Sequence, residues 1–261
     1  MLPSARDRER ARRRAAPRRA QPPRGVALPP AGGKPGGPRT WLFDLDNTLH
    51  NASASAFAGV NRSMTDYIVE HLGLGEAGAD ALRRDYWLRY GATLLGLVRH
   101  HGVAPMHFLD QTHRLPGLEQ RVHGHAHDFA ALARLPGRRY VLTNAPRDYT
   151  ARVLGALGIG HLFHGVLTIE DMRMFGQWRP KPDRRMFRRL LARLRTPAGR
   201  VTLVEDTLEH QKAARSLGMH TVWMQRWTRR AGWGVAATTR VARRPAYVDR
   251  RVSRLAQLTR G

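Results

Sequence analysis

The 261-residue chain contains no cysteine. A disulfide framework, a thiolate zinc site, an iron–sulfur cluster and a cysteine nucleophile are therefore excluded. No apolar run approaches the roughly 18–20 residues of a membrane span. The first residues are rich in arginine and proline and lack a hydrophobic segment, so they do not read as a secretory signal; the expected location is cytoplasmic, with no membrane partner. Lysine is scarce: of 45 basic residues only Lys34, Lys181 and Lys212 are lysines. Acidic residues are few as well, 20 against those 45, which leaves a formal charge of +25. The length suffices for one sizeable core with an insertion.

The excess charge is concentrated at the ends. Residues 1–39 carry 11 basic and 2 acidic residues, and residues 226–261 carry 10 and 1, so each end holds +9 and residues 40–225 hold the remaining +7. Residues 1–39, built of Arg, Ala, Pro and Gly without apolar periodicity, are expected to form a disordered basic tail. Residues 226–261 read as a basic C-terminal extension, a solvated tail or a weak helix. Such ends suit nucleic acid through phosphate contacts, or serve only as solvated chain.

Between the ends, short apolar runs alternate with helical patterns. The runs at 40–45, 139–143, 165–169, 201–204 and 220–224 read as buried strands, and those at 148–158, 183–194 and 207–217 as amphipathic helices, the last closed by Gly218. The expected fold is α/β: a Rossmann-like parallel sheet core with helices on both faces. Residues 52–135 break the rhythm with helical pieces near 55–71, 76–100, 105–113 and 118–134. They read as an inserted α-helical cap after the first strand, leaving 40–51 and 136–225 as the core. The arginines of 184–189 are expected to form mainly a solvated helix face.

Chemistry collects at the strand tips. Asp44 and Asp46 follow the first strand in DLDNT. Two carboxylates this close are costly unless a cation or proton is shared, and a hard divalent metal resolves the conflict. Thr143-Asn144 closes the second strand, and its hydroxyl and backbone N–H groups suit phosphate oxygens. Lys181 stands in a rigid Pro-Lys-Pro loop, a compact ammonium in a chain that otherwise uses guanidinium. Glu205-Asp206 ends the fourth strand, as site ligands or as caps of the next helix. His123, His125 and His127 form a His-x-His-x-His run that is most simply polar surface. Trp223, Trp227 and Trp233 are expected to pack the sheet edge and anchor the C-terminal extension, or to stack on bases beside Arg226, Arg229 and Arg230.

The order DLDNT, TN, PKP and ED resembles the haloacid dehalogenase-like (HAD) hydrolase superfamily over residues 40–225. The segments FDLDNTL, YGATLLGL (Tyr90–Leu97), LPGRRYVLTNA and VEDTLEHQKAARSLGMHTV are similar to its pyrimidine 5′-nucleotidase branch. The resemblance implies an Mg²⁺-dependent phosphatase acting on small phosphomonoesters, a nucleoside 5′-monophosphate with pyrimidine favoured. Asp44 is then the nucleophile and Asp46 the general acid–base. Thr143 and the N–H of Asn144 bind the transferring oxygens, and Lys181 steadies nucleophile and phosphoryl charge. Asp44, the main-chain carbonyl of Asp46, and Asp206 hold the metal, with Glu205 assisting. Dehalogenases of the superfamily lack an acidic residue at the position of Asp46, so its presence implies phosphate-ester chemistry. Tyr90, Thr93 and His113 are candidate substrate contacts from the cap, Tyr90 and His113 alternatively being packing or capping residues. The alternative function is nucleic-acid binding through the basic ends, with the core acting on polynucleotide terminal phosphates or as a scaffold.

Overall fold

A computed structural model describes residues 39–227 and 243–259; most of the 1–39 tail, together with Arg229, Arg230 and Trp233, lies outside them. Eight strands are present among these residues: β1 (Thr40–Phe43), β2 (Arg138–Leu142), β3 (Gly165–Leu167), β4 (Arg173–Met174), β5 (Gln177–Trp178), β6 (Val201–Glu205), β7 (His220–Met224) and β8 (Arg250–Val252). Six of them form one parallel sheet in the order β3-β2-β1-β6-β7-β8. Both faces are covered, which is why these strands read as nearly continuous apolar runs. On one face Phe43, Val141 and Val204 pack with Tyr149, Val153 and Leu154 of α8 (Arg147–Leu157). On the other, Leu42, Tyr140 and Leu203 pack with Phe187, Leu190 and Leu194 of α9 (Arg184–Leu194) and Ala213 and Ala214 of α10 (Leu208–Arg215). The α/β class and its layers are as the alternating pattern requires.

Seven helices lie between β1 and β2: α1 (Ala52–Ser55), α2 (Phe57–Leu72), α3 (Glu76–Tyr90), α4 (Thr93–His101), α5 (Pro105–His113), α6 (Leu118–Arg121) and α7 (Ala126–Arg134). Their own core joins Tyr67, Ile68, Tyr86, Leu94, Leu97 and Phe108, with Ile169 and Trp178 of the sheet domain packed against it. Two expected helices are each divided. The 76–100 piece breaks at Gly91, which takes a left-handed φ of 76° and closes α3. The 118–134 piece breaks at 122–125, so His123 and His125 precede α7 and do not share its helical surface with His127. The Tyr90–Leu97 segment has a packing logic of its own: a Cβ on Gly96 would stand 2.2 Å from Cγ of Tyr86, so only glycine lets α4 approach α3 this closely.

Two elements were invisible to pattern reading. The short antiparallel pair β4–β5 turns at Phe175-Gly176, and its two-residue strands offer too little alternation to be recognised. The strand β8 lies in the stretch read as a tail or weak helix. Arg250 and Arg251 are instead strand residues, paired in parallel with β7. Val252, Leu255 and Leu258 are buried in the main core, and Asp128 holds this segment by accepting from the Ala256 N–H at 3.0 Å and pairing with Arg226 at 2.5 Å. Trp223 packs with Leu208 and Val248, and Trp227 is buried with His125 stacked on it at 5.2 Å. Among the described residues, no helix is long and apolar enough to cross a membrane.

Candidate active site

β1 is the central strand, flanked by β2 and β6 in register, with Phe43 opposite both Val141 and Val204. Asp44 and Thr143, just beyond β1 and β2, and Glu205-Asp206, at the end of β6, therefore emerge side by side at the carboxyl edge, at the point where the strand order reverses. Asp44 remains in the ladder through its N–H, which donates to the Val204 carbonyl at 3.0 Å. Asn47 then takes a left-handed φ of 56°, and its side chain is clasped by Ser53. The chain turns back at once, bringing His50 against Asp46.

Lys181 is the centre of the site. Its side chain is only 1% exposed. The ammonium donates to Asp44 Oδ1 at 2.6 Å, to Glu205 Oε2 at 2.7 Å and to the Leu142 carbonyl at 2.9 Å, so all three donors are satisfied. The loop that carries it is fastened by Asn144, whose side-chain amide donates to the Lys181 carbonyl and accepts from the Lys181 N–H, both at 2.9 Å. Thr143 is buried beside it and accepts from the Ala145 N–H at 3.0 Å.

Asp44, Glu205 and Asp206 bring carboxylate oxygens within 4.8 Å of one another. Burial, then the neighbouring Glu205 carboxylate, push the Asp44 carboxyl up to about 8. Asp206 is raised for the same two reasons. Burial acts in the same sense on Glu205, but Lys181 and His210 outweigh it and hold that carboxyl well below its usual value. The Lys181 ammonium resists its own burial through Asp44 and Glu205, which raise its pKa. One ammonium cannot let all three carboxyl groups ionise together; a divalent cation would supply the missing positive charge, and an all-oxygen donor set suits a hard ion such as Mg²⁺. The carboxylate of Asp46 lies outside this cluster.

Asp46 is one-fifth exposed and held from two sides. The Tyr149 hydroxyl donates to its Oδ1 at 2.7 Å, and His50 Nε2, itself buried, reaches the same oxygen at 2.9 Å. His113 packs edge-on against the Tyr149 ring at 5.7 Å and bonds the Leu109 carbonyl through Nδ1, so of the three cap candidates it is the one set against Asp46's own partner. Tyr90 pairs with His100 at 2.6 Å, and the buried Thr93 hydroxyl donates to the Arg83 carbonyl at 2.9 Å. Both side chains are thus engaged within the helical layer. No histidine cluster of metal-ligand geometry occurs among the described residues. Sequence reasoning missed His50, Tyr149 and His210 (3.0 Å from Glu205) as site residues, and gave Trp223 a packing or stacking role without its bond to the Asp206 carbonyl, to which it donates at 2.9 Å. The adjacency of His50 to DLDNT was the only available signal.

Residues 38–218 match the family of haloacid dehalogenase-like hydrolases. Phosphate metabolism protein 8 of Saccharomyces cerevisiae is 24% identical over 200 residues, covering 69% of this chain. The chain spans about 60% of the length of that curated relative. Among solved structures, the magnesium-bound HAD-hydrolase YfnB of Bacillus subtilis is similar with a TM-score of 0.52 and 16% identity, over 84% of this chain and 96% of that one. L-2-haloacid dehalogenase from Xanthobacter autotrophicus, with chloropropionic acid covalently bound, is similar with a TM-score of 0.50 and 18% identity, over 85% and 97%. At such identities the structural likeness is one of fold.

Proposed function

This chain belongs to the haloacid dehalogenase-like hydrolases, and from that premise we propose that it is an Mg²⁺-dependent phosphatase of small phosphomonoesters, with a pyrimidine nucleoside 5′-monophosphate as the favoured substrate. The observation that carries the reading is the second carboxylate, Asp46, standing beside but outside the Asp44–Glu205–Asp206 cluster. A displacement that ends on an alkyl-oxygen leaving group needs a proton; one that expels a halide does not. The similarity to phosphate metabolism protein 8 favours phosphate chemistry, while the fold is shared with dehalogenases.

In this mechanism an oxygen of Asp44 attacks phosphorus as the bond to the leaving oxygen breaks, and the acid form of Asp46 gives its proton to that oxygen. Asp46, now a carboxylate, takes a proton from water. The water oxygen displaces the Asp44 carboxylate from phosphorus and phosphate departs. Lys181 holds the Asp44 carboxylate and neutralises charge. Thr143 and the Asn144 N–H receive the phosphoryl oxygens, while the Asn144 side chain keeps the lysine loop in place. Asp44, the Asp46 carbonyl and Asp206 would hold Mg²⁺, with Glu205 assisting; when bound, the ion offsets repulsion between nucleophile and dianionic substrate.

The experiment is a panel of UMP, CMP, AMP, phosphoglycolate and sugar phosphates, with L-2-chloropropionate alongside, assayed with Mg²⁺ and with chelator. Phosphate release that requires Mg²⁺ and is fastest on UMP or CMP supports the reading. Preference for the non-nucleotides removes the pyrimidine assignment, and halide release without phosphate release removes the phosphatase. The +9 at each end favours a second reading, binding of polynucleotides. A gel shift at physiological salt, with and without residues 1–39, tests it, and no shift at moderate salt rejects it.

A further inference from the structure

We propose that Tyr149 and His50 are positioning residues for the general acid, and that together they make the enzyme competent toward alkyl phosphomonoesters, whose leaving oxygen must be protonated. The inference rests on the phosphatase reading above. Tyr149 stands at the first turn of α8, and His50 at the end of the turn that follows β1. The two therefore reach Asp46 from different elements, one fixed in the core and one fixed to the loop that carries the acid. Both reach the same atom, Oδ1, at 2.7 and 2.9 Å. That arrangement locks the carboxyl rotation and leaves Oδ2 for the proton that is given to the leaving oxygen and later taken from water.

Both holders are themselves held. Tyr149 is buried, with the His113 ring against its own at 5.7 Å. His50 is fully buried, and Ser55 lies 3.4 Å from its other nitrogen. A carboxyl on a one-fifth exposed side chain, at the end of a turn with a left-handed Asn47, would otherwise sample several rotamers. A proton donor displaced by about 1 Å loses much of its advantage. An aryl leaving group such as p-nitrophenolate departs without a proton, so it is insensitive to that placement.

The test compares kcat/KM for p-nitrophenyl phosphate with that for the alkyl monoesters UMP and glycerol 3-phosphate, in the full chain with Mg²⁺. Using the ratio of two substrates on one preparation cancels any loss of folded protein. Tyr149→Phe, which removes only the hydroxyl, is expected to lower the alkyl-to-aryl ratio at least tenfold. His50→Leu is expected to do the same, and His50→Gln, which keeps an N–H donor, to restore part of it. In an Asp46→Asn background, Tyr149→Phe should leave the ratio as it is, because the group it positions is gone. A wild type active on phosphomonoesters whose Tyr149→Phe ratio moves less than twofold overturns the positioning role alone. A wild type inactive on all three esters overturns the phosphatase reading, and this inference with it.

Discussion

At the scale of single residues, the account turns on a lysine among arginines. Lys181 sits between two carboxylates and a carbonyl at 2.6–2.9 Å, with its side chain buried. A guanidinium is planar and larger, so Lys181→Arg is expected to lower kcat as far as Lys181→Met, at least about 100-fold; steady-state rates on the best monoester check this, and a tolerated arginine contradicts it. The imidazole of His113 gives a pH signature. Burial pushes it down to about 4, against small opposing pulls from the Leu109 carbonyl, Asp46 and Glu170. The unfolded chain protonates this group near 6.5, so between those values it binds more protons than the folded chain. The contribution is therefore full above about pH 6.5 and is lost as the pH falls toward about 4. His113→Gln should flatten the fall of melting temperature in that window, an effect of order 1 kcal/mol, and an unchanged slope would count against the burial argument. The carboxylates were legible because they close apolar strands, and the lysine because it stands alone in a Pro-Lys-Pro loop of an arginine-rich chain. Tyr149 was not, since 103 residues separate it from Asp46 and only the fold unites them.

At the scale of elements, the apolar runs located five of the six sheet strands, and the three core helices were found to within about two residues at each end. That success has a physical cause: strands buried on both faces are apolar throughout, and α8–α10 show one apolar face each. The helices before β2 were harder, because their breaks depend on backbone conformation that periodicity does not register. Gly91 is the clearest case. Its left-handed φ of 76° ends α3, and a Cβ there would stand 3.1 Å from Cδ of Pro182, next to Lys181. This glycine is the point where the helical layer rests on the lysine loop. Gly91→Ala adds strain of about 1 kcal/mol and presses on Pro182. The expected outcome is a several-fold loss of kcat/KM with the circular dichroism spectrum retained; unaltered kinetics would show that the contact is not used.

At the scale of the whole molecule, the charge of +25 does not divide cleanly into a body of +7 and two appendages of +9 each. Part of the C-terminal excess, Arg250 and Arg251, is carried on a strand of the main sheet. Composition hid this because β8 is only three residues long and two of them are arginines. Deleting residues 244–261 would uncover the β7 edge and remove Val248, Val252, Leu255 and Leu258 from buried positions. At roughly 1.5–3 kcal/mol for each buried aliphatic side chain, the melting temperature should fall by more than about 10 °C, or the protein should become insoluble; an unchanged melting curve would return this segment to the status of a tail. Asp128→Ala, which removes the acceptor of the Ala256 N–H and of one Arg226 nitrogen, should reproduce part of that loss, about 3 kcal/mol in chemical denaturation. The central claim is chemical, and intact-mass analysis of the acid-quenched full chain tests it most directly. After brief exposure to p-nitrophenyl phosphate, whose leaving group needs no proton, and Mg²⁺, the Asp46→Asn protein should carry one phosphoryl group, mapped to Asp44 by peptide sequencing and absent from Asp44→Asn. A chain that turns over phosphomonoesters without ever carrying phosphate on Asp44, or that carries it on another residue, would contradict the account.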